Sequence, residues 1–322
     1  MAFMKDSEHI IFMDMCTKYE YPEERLPAED IKKLVDAGVE TCMSFGTFWG
    51  WVEPSKGVYD WSYYDERIGL LTRLGMKVIL HAQSYYPSWL PEGWRLKSEN
   101  NNAEKVISVW NDEAWEYTKD FYRLVRDRYN SNNVLVTSSW LADGETLFPV
   151  TFCVFDDSAK EKYVERYGHE PRGKNPETQE FLLDGMKKIF CDLQEIMKEN
   201  KFNEIWTCMH PATPWNLPNT QNAISEILAL YHSQFPDITI NHLYCTWTQW
   251  RHMFPKFNEW GKMYGNVYGG AEYETGIIGN TKLAMENGVK GLLYGPCHPY
   301  TGHSRITQEM IDKAKESLAL WG

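Results

Sequence analysis

The chain has 322 residues, 43% of them hydrophobic, enough for one large core or for two ordinary ones. Its 33 basic and 45 acidic residues leave a net charge of −12, which argues against nucleic acid or an anionic membrane as partner. No apolar run approaches the roughly 18 residues of a membrane helix, and the opening MAFMKDSEHIIFMDM lacks the basic patch and apolar block of a secretory leader, so a cytoplasmic location is expected.

Strand-like and helical stretches alternate along the whole chain. A strand over 9–16 (HIIFMDMC) leads to a helix over 28–37 that Gly38 ends, and a second strand covers 39–45. A long loop runs to Trp61, then a helix over 64–74 closes at Gly75, followed by a third strand over 77–81 (KVILH). The amphipathic stretch 112–129 is a helix and 134–139 the fourth strand, before helices over 159–167 and 178–199. Strand five is 204–210 with a helix over 223–234, and strand six is 238–246 with a helix inside 252–264. Strand seven is 266–271 with a helix over 282–287, and strand eight is 289–294, with a closing helix over 308–320.

These eight strand–helix units carry apolar strand runs suited to a sheet buried on both faces. A doubly wound sheet also alternates, but its first strand–helix turn is rich in glycine. Here that turn reads TKYEYPEERLPAED, without glycine. The expected fold is therefore an α/β eight-stranded parallel β/α (TIM) barrel, one domain over residues 1–322.

A β/α barrel keeps its chemistry at the carboxyl ends of the strands. Aromatic residues are 15% of the chain, with 14 Trp and 19 Tyr, and they crowd at those ends. Strand two is followed by Trp49 and Trp51, strand three by His81 and Tyr85, strand four by Trp140, and strand five by His210. Strand six supplies Tyr244 and Trp247, and strand eight Tyr294 and His298. Indole and phenol faces stack on the apolar face of a pyranose, so this rim is expected to bind an oligosaccharide or polysaccharide. The three histidines are candidates for sugar hydroxyls or for rim backbone, and Tyr294 for the floor of the site or for the core.

Two carboxylates complete the rim: Glu145 after strand four and Glu272 after strand seven. A glycosidic bond is broken by such a pair, one donating a proton to the leaving oxygen and one attacking or activating water. Trp140, Leu147 and Phe148 around Glu145 form an apolar setting that would keep an acid protonated. The bland alternatives are a turn-capping carboxylate at 145 and a rim salt bridge at 272. Glu274 lies two residues on and points the same way if the strand persists. Glu53, followed by a proline and a turn, is expected to brace its loop.

The stretch 49–61, WGWVEPSKGVYDW, resembles the "W…EP..G.YDW" signature after strand two of clan A glycoside hydrolases, above all the family-42 and family-35 β-galactosidases. Asp65 matches an aspartate of the next helix, 74–80 (LGMKVIL) a run entering strand three, and 163–175 the region before a long helix. The resemblance implies a retaining mechanism with Glu145 as acid/base and Glu272 as nucleophile. It also implies a tyrosine near that nucleophile, matched by Tyr244, and a β-glycoside as substrate.

This chain departs from the pattern in three places. Where the clan has Asn-Glu it has Gly144-Glu145, and 143–149 (DGETLFP) is more similar to the acid site of β-amylases, whose barrel inverts. Where the clan often has a tryptophan after strand eight it has Tyr294. The sandwich-like domains that follow the barrel in family 42 are not expected within residues 1–322, where strand eight and its helix close the layout.

Other chemistries find less support. Metal-dependent barrels open with His-x-His after strand one, where this chain has Asp14-Met15-Cys16, so no metal is expected. No glycine-rich phosphate loop and no strand-end lysine point to another cofactor, and none is expected. Seven cysteines without a CxxC pair read as reduced thiols. A barrel that binds glycans without cutting them would keep the aromatics and lose a carboxylate, whereas both glutamates are present. The oligomeric state is not legible in the sequence.

Overall fold

Strands with apolar residues on both faces close into a parallel barrel only if each is followed by a helix that covers its outer side. The computed structural model shows that arrangement. It describes every residue except 1, 6, 15–25, 85, 98–102, 140–153, 174, 210–219, 245–253, 265, 272–276 and 297–304. The first half runs β1 (Ile10–Asp14), α1 (Ala28–Asp36), β2 (Thr41–Phe48), α2 (Trp49–Val52), α3 (Ser62–Arg73), β3 (Lys77–Gln83), β4 (Arg95–Lys97), β5 (Ala103–Ile107), α4 (Asp112–Tyr129) and β6 (Val134–Ser139). The second half runs α5 (Asp157–Tyr167), α6 (Pro176–Met197), β7 (Glu204–Met209), α7 (Thr220–Gln234), β8 (Thr239–Tyr244), α8 (Phe254–Tyr264), β9 (Val267–Ala271), α9 (Ile277–Glu286), β10 (Gly291–Tyr294) and α10 (Gln308–Trp321).

Eight strands close the barrel in the order β1-β10-β9-β8-β7-β6-β3-β2, every neighbouring pair parallel. The expected TIM barrel is therefore the observed fold, with β6 and β9 as its fourth and seventh strands. The antiparallel hairpin β4–β5 is extra, inserted between β3 and α4. The sequence pattern does not reveal it, nor does it reveal the single turn of α2.

Side chains alternate across each strand. Ile11, Met13, Met43, Ile79, Leu135, Trp206, Tyr268 and Leu293 form one buried cluster with Phe3 and Met4. Their neighbours Ile10, Phe12, Cys42, Val78, Leu80, Val134, Val136, Ile205 and Leu292 belong to a second cluster with the helices. The first set fills the barrel; the second glues it to its jacket. Phe3 plugs the foot, where its backbone N–H donates to Glu204 Oε1 at 2.8 Å.

Local signals set the helix ends. Asn111, Asp156, Asn175 and Thr307 each accept a hydrogen bond from a first-turn backbone N–H, which satisfies one otherwise orphaned donor. Gly75, at φ +99°, ends α3 in a conformation that a side chain would strain. Gly291 closes the barrel: a Cβ there would sit 2.6 Å from the His9 carbonyl oxygen on the approach to β1.

Candidate active site

The mouth of the barrel lies where the strands end. β6 ends at Ser139 and Glu145 follows along the chain; β9 ends at Ala271 and Glu272 is the next residue. The two strands stand three places apart one way round the barrel and five the other, so they lie across the mouth from each other. Glu145 and Glu272 themselves lie outside the described residues, as do Tyr85, Trp140, His210, Trp247, Glu274 and His298. Tyr244 is the last residue of β8, in register with Met209 and Gly269.

His81 lies near the carboxyl end of β3 and is fully buried. Ile79 lies in the barrel-filling cluster, so His81 and Gln83, two and four residues on, face inward as well. His81 is in register with Thr137 on β6, and its own carbonyl accepts the Thr47 hydroxyl at 3.0 Å. Complete burial brings the imidazole down to about 3, so it is neutral near pH 7. A neutral imidazole presents one donor and one acceptor, a set that suits a sugar hydroxyl better than an ion. Gln83 is fully buried one layer nearer the rim, and among the described residues neither its Oε1 nor its Nε2 has a hydrogen-bond partner.

Two expected contacts are turned away from the mouth. Trp49 is 1% exposed, stacks on Phe121 at 5.2 Å and donates its indole N–H to Glu53 Oε2 at 2.7 Å. Tyr294 packs among the helix-facing residues, with its hydroxyl 3.4 Å from the Met310 carbonyl that accepts from it. Its neighbour Leu293 takes the inward place. Parity decides Tyr294, since one residue along a strand reverses the face, whereas Trp49 opens the single turn of α2 and packs into the helix-facing core. Trp51, half-buried, stays on the rim edge-on to Phe48 at 4.4 Å.

Glu53 does brace its loop. Its Oε1 accepts the Gly57 backbone N–H at 2.7 Å and its carbonyl accepts the Trp89 indole N–H at 2.8 Å. Asp65 ties α3 to α4 by accepting from Arg128 Nε at 3.2 Å and from the Tyr129 hydroxyl at 2.9 Å. Most of the W…EP..G.YDW signature is thus scaffold that holds the rim. Gln83 is not among the residues that sequence reasoning singles out, although the alternation from Ile79 through His81 is a signal that could find it.

Among the described residues no group of three or more His, Cys, Asp or Glu could hold a metal ion, and no helix is long and apolar enough to cross a membrane. Cys42 and Cys191 are free thiols.

Residues 18–170 match the sequence model of glycoside hydrolase family 42, described as beta-galactosidase. The beta-galactosidase bgaB of Geobacillus kaustophilus is 23% identical over 238 residues, which take in 59% of this chain and 35% of that protein. The barrel is thus similar to family 42 over residues 18–170. Beta-galactosidase BgaH of Haloferax lucentense is 25% identical to this family-42-like barrel over 125 residues, 36% of the chain and 19% of that protein.

Among solved structures, the polyextremophilic beta-galactosidase of Halorubrum lacusprofundi superposes with a TM-score of 0.71 at 14% identity, covering 97% of this chain and 57% of that one. The catalytic domain of beta-amylase from Paenibacillus polymyxa gives 0.67 at 13% identity, covering 96% and 97%. At such identities these two likenesses show the fold alone. The family-42-like barrel spans well under two thirds of the curated relatives it matches.

Proposed function

We propose that the chain is a glycoside hydrolase that cleaves a β-glycoside, with an oligosaccharide or polysaccharide as substrate and Glu145 and Glu272 as its catalytic pair. One observation carries the reading most: the family-42 match runs from residue 18 to 170, through β6 and Glu145, on a barrel whose seventh strand leads directly into Glu272. The relatives named for beta-galactosidase activity make a β-galactoside the first substrate to try.

The mechanism that follows is a double displacement. The Glu272 carboxylate attacks the anomeric carbon while the glycosidic bond breaks and Glu145 passes its proton to the leaving oxygen. Glu145, now a carboxylate, takes a proton from water, whose oxygen attacks the same carbon and releases Glu272. Trp51, Trp140 and Trp247 offer stacking faces, and His81 offers neutral hydrogen bonds to hydroxyls. No cofactor is part of this scheme.

A second reading is inversion, favoured by the β-amylase-like run DGETLFP and by Gly144 in place of asparagine. In that case Glu272 activates water and the product appears with the opposite anomeric configuration.

The test is hydrolysis of an aryl β-galactoside, and of other aryl β-glycosides, by the wild type and three variants. Glu145→Gln is expected to lower kcat by about 10²- to 10⁴-fold on poor leaving groups, the usual worth of a positioned acid. Glu272→Gln is expected to lose at least as much, and Glu274→Gln less than Glu272→Gln. A larger loss at 274 moves the nucleophile there. Full activity in both Glu145→Gln and Glu272→Gln contradicts the assignment, and sugar binding without turnover by the wild type makes the chain a glycan-binding barrel.

A further inference from the structure

Gln83 is the last residue of β3, the third strand of the barrel, and it belongs to no expected contact. It pairs in register with Phe48, at the end of β2, and with Ser139, the residue at which β6 leads off toward Glu145. Its side chain faces inward by the alternation of Ile79, His81 and Gln83, and is fully buried. An amide carries two donors and an acceptor with two lone pairs, and a protein normally pairs such groups when it buries them. Among the described residues both polar atoms of Gln83 lack a partner. The neighbouring hydroxyl of Thr47 is already committed to the His81 carbonyl, and that of Thr137 to the Trp206 carbonyl.

A group left in this state lowers stability, and such a cost persists where function uses it. We propose that Gln83 is a substrate-recognition residue whose amide reads hydroxyl groups of the sugar ring in the barrel mouth. The ligand class rests on the glycoside hydrolase reading, but the charge pattern supports it independently. The described side chains that face inward at this level, His81, Gln83 and Thr137, carry no charge, because the imidazole is neutral. A phosphate or carboxylate ligand would find no cation among them. A hydroxyl both donates and accepts, as the amide does, so a pair of vicinal hydroxyls satisfies it fully. Away from bulk water such a bond discriminates strongly against an analogue that lacks the hydroxyl.

The experiment compares wild type, Gln83→Leu and Gln83→Glu in the full chain. Calorimetric binding of galactose, glucose and their monodeoxy derivatives is measured beside the melting temperature without sugar. Gln83→Leu is expected to weaken the preferred sugar by about tenfold or more. One deoxy sugar is expected to bind wild type and Gln83→Leu alike, which identifies the hydroxyl read. The sugar-free melting temperature of Gln83→Leu is expected to equal or exceed that of wild type, since an unpaired amide is replaced by a hydrocarbon of similar size.

A lower sugar-free melting temperature with equal weakening of every sugar would make Gln83 a structural residue and overturn the proposal. Unchanged binding of every sugar, or no sugar binding by wild type, overturns it too. Loss of binding in Gln83→Leu, with no hydrolysis even by wild type, refutes the hydrolase reading and leaves this one standing. Hydrolysis by both proteins with the same sugar preference does the reverse.

Discussion

His242 is fully buried on the outer face of β8, with Nδ1 3.2 Å from the Thr207 hydroxyl and Nε2 3.4 Å from His232 Nε2 on α7. Burial, and secondarily the neighbouring imidazole, brings it down to about 3, and burial alone does the same for His81. An unfolded histidine titrates near 6.5, so between about pH 6.5 and pH 3 the unfolded chain holds protons that the native chain refuses. Stability is therefore expected to fall as pH drops through that window, by up to about 1.4 kcal/mol per unit for each such group. Thermal melts of wild type and His242→Gln at pH 7, 6 and 5 check this: the variant's decline should be shallower. Parallel declines would contradict it. That Tyr294 stands at a strand end is plain in the sequence, but its face depends on register to one residue; Trp49 instead opens α2, and both pack with the helix-facing core.

Arg67 on α3 pairs with Asp14 at the end of β1, donating from Nε at 3.1 Å and Nη2 at 2.6 Å, while Nη1 reaches the Leu26 carbonyl at 3.0 Å. Both charged groups are buried, with side chains 4% and 5% exposed, so the pair locks an element of the jacket onto the first barrel strand. Arg67→Met takes the guanidinium away from the buried Asp14 carboxylate and is expected to cost about 3–5 kcal/mol, read from the urea midpoint. The double variant Asp14→Leu/Arg67→Met should recover much of that loss; a double variant as unstable as the single one would contradict the account. Elements themselves are largely legible. The strands over 77–81 and 134–139 reappear as Lys77–Gln83 and Val134–Ser139, because apolar runs bounded by turn residues leave few alternatives. The hairpin β4–β5 is not, since RLK is too short for any period to show.

At the scale of the molecule, eight repeats of one strand–helix unit make the barrel legible in the sequence. Closure depends on details no pattern shows: glycine at 291, where β10 meets the approach to β1, and Phe3 in the foot. The candidate site is legible as a rim rather than as a geometry. Sequence places a carboxylate after the fourth and the seventh strands, and the order β6-β7-β8-β9 sets the ends of those two strands on facing sides of the mouth. The polar floor of His81 and Gln83 emerges only when the strand alternation is seen in three dimensions, because histidine and glutamine inside an otherwise apolar strand carry no motif.

Cleavage of a glycosidic bond through Glu272 can be caught by trapping the enzyme on its substrate. The chain is incubated with a 2-deoxy-2-fluoro-β-galactosyl donor carrying a good leaving group, then digested and read by mass spectrometry. A retaining enzyme accumulates a covalent glycosyl intermediate on its nucleophile. The expected result is one fluorosugar on the peptide containing Glu272, absent from Glu272→Gln. A label on another carboxylate, or steady hydrolysis of β-galactosides by a protein that never becomes labelled, would contradict it.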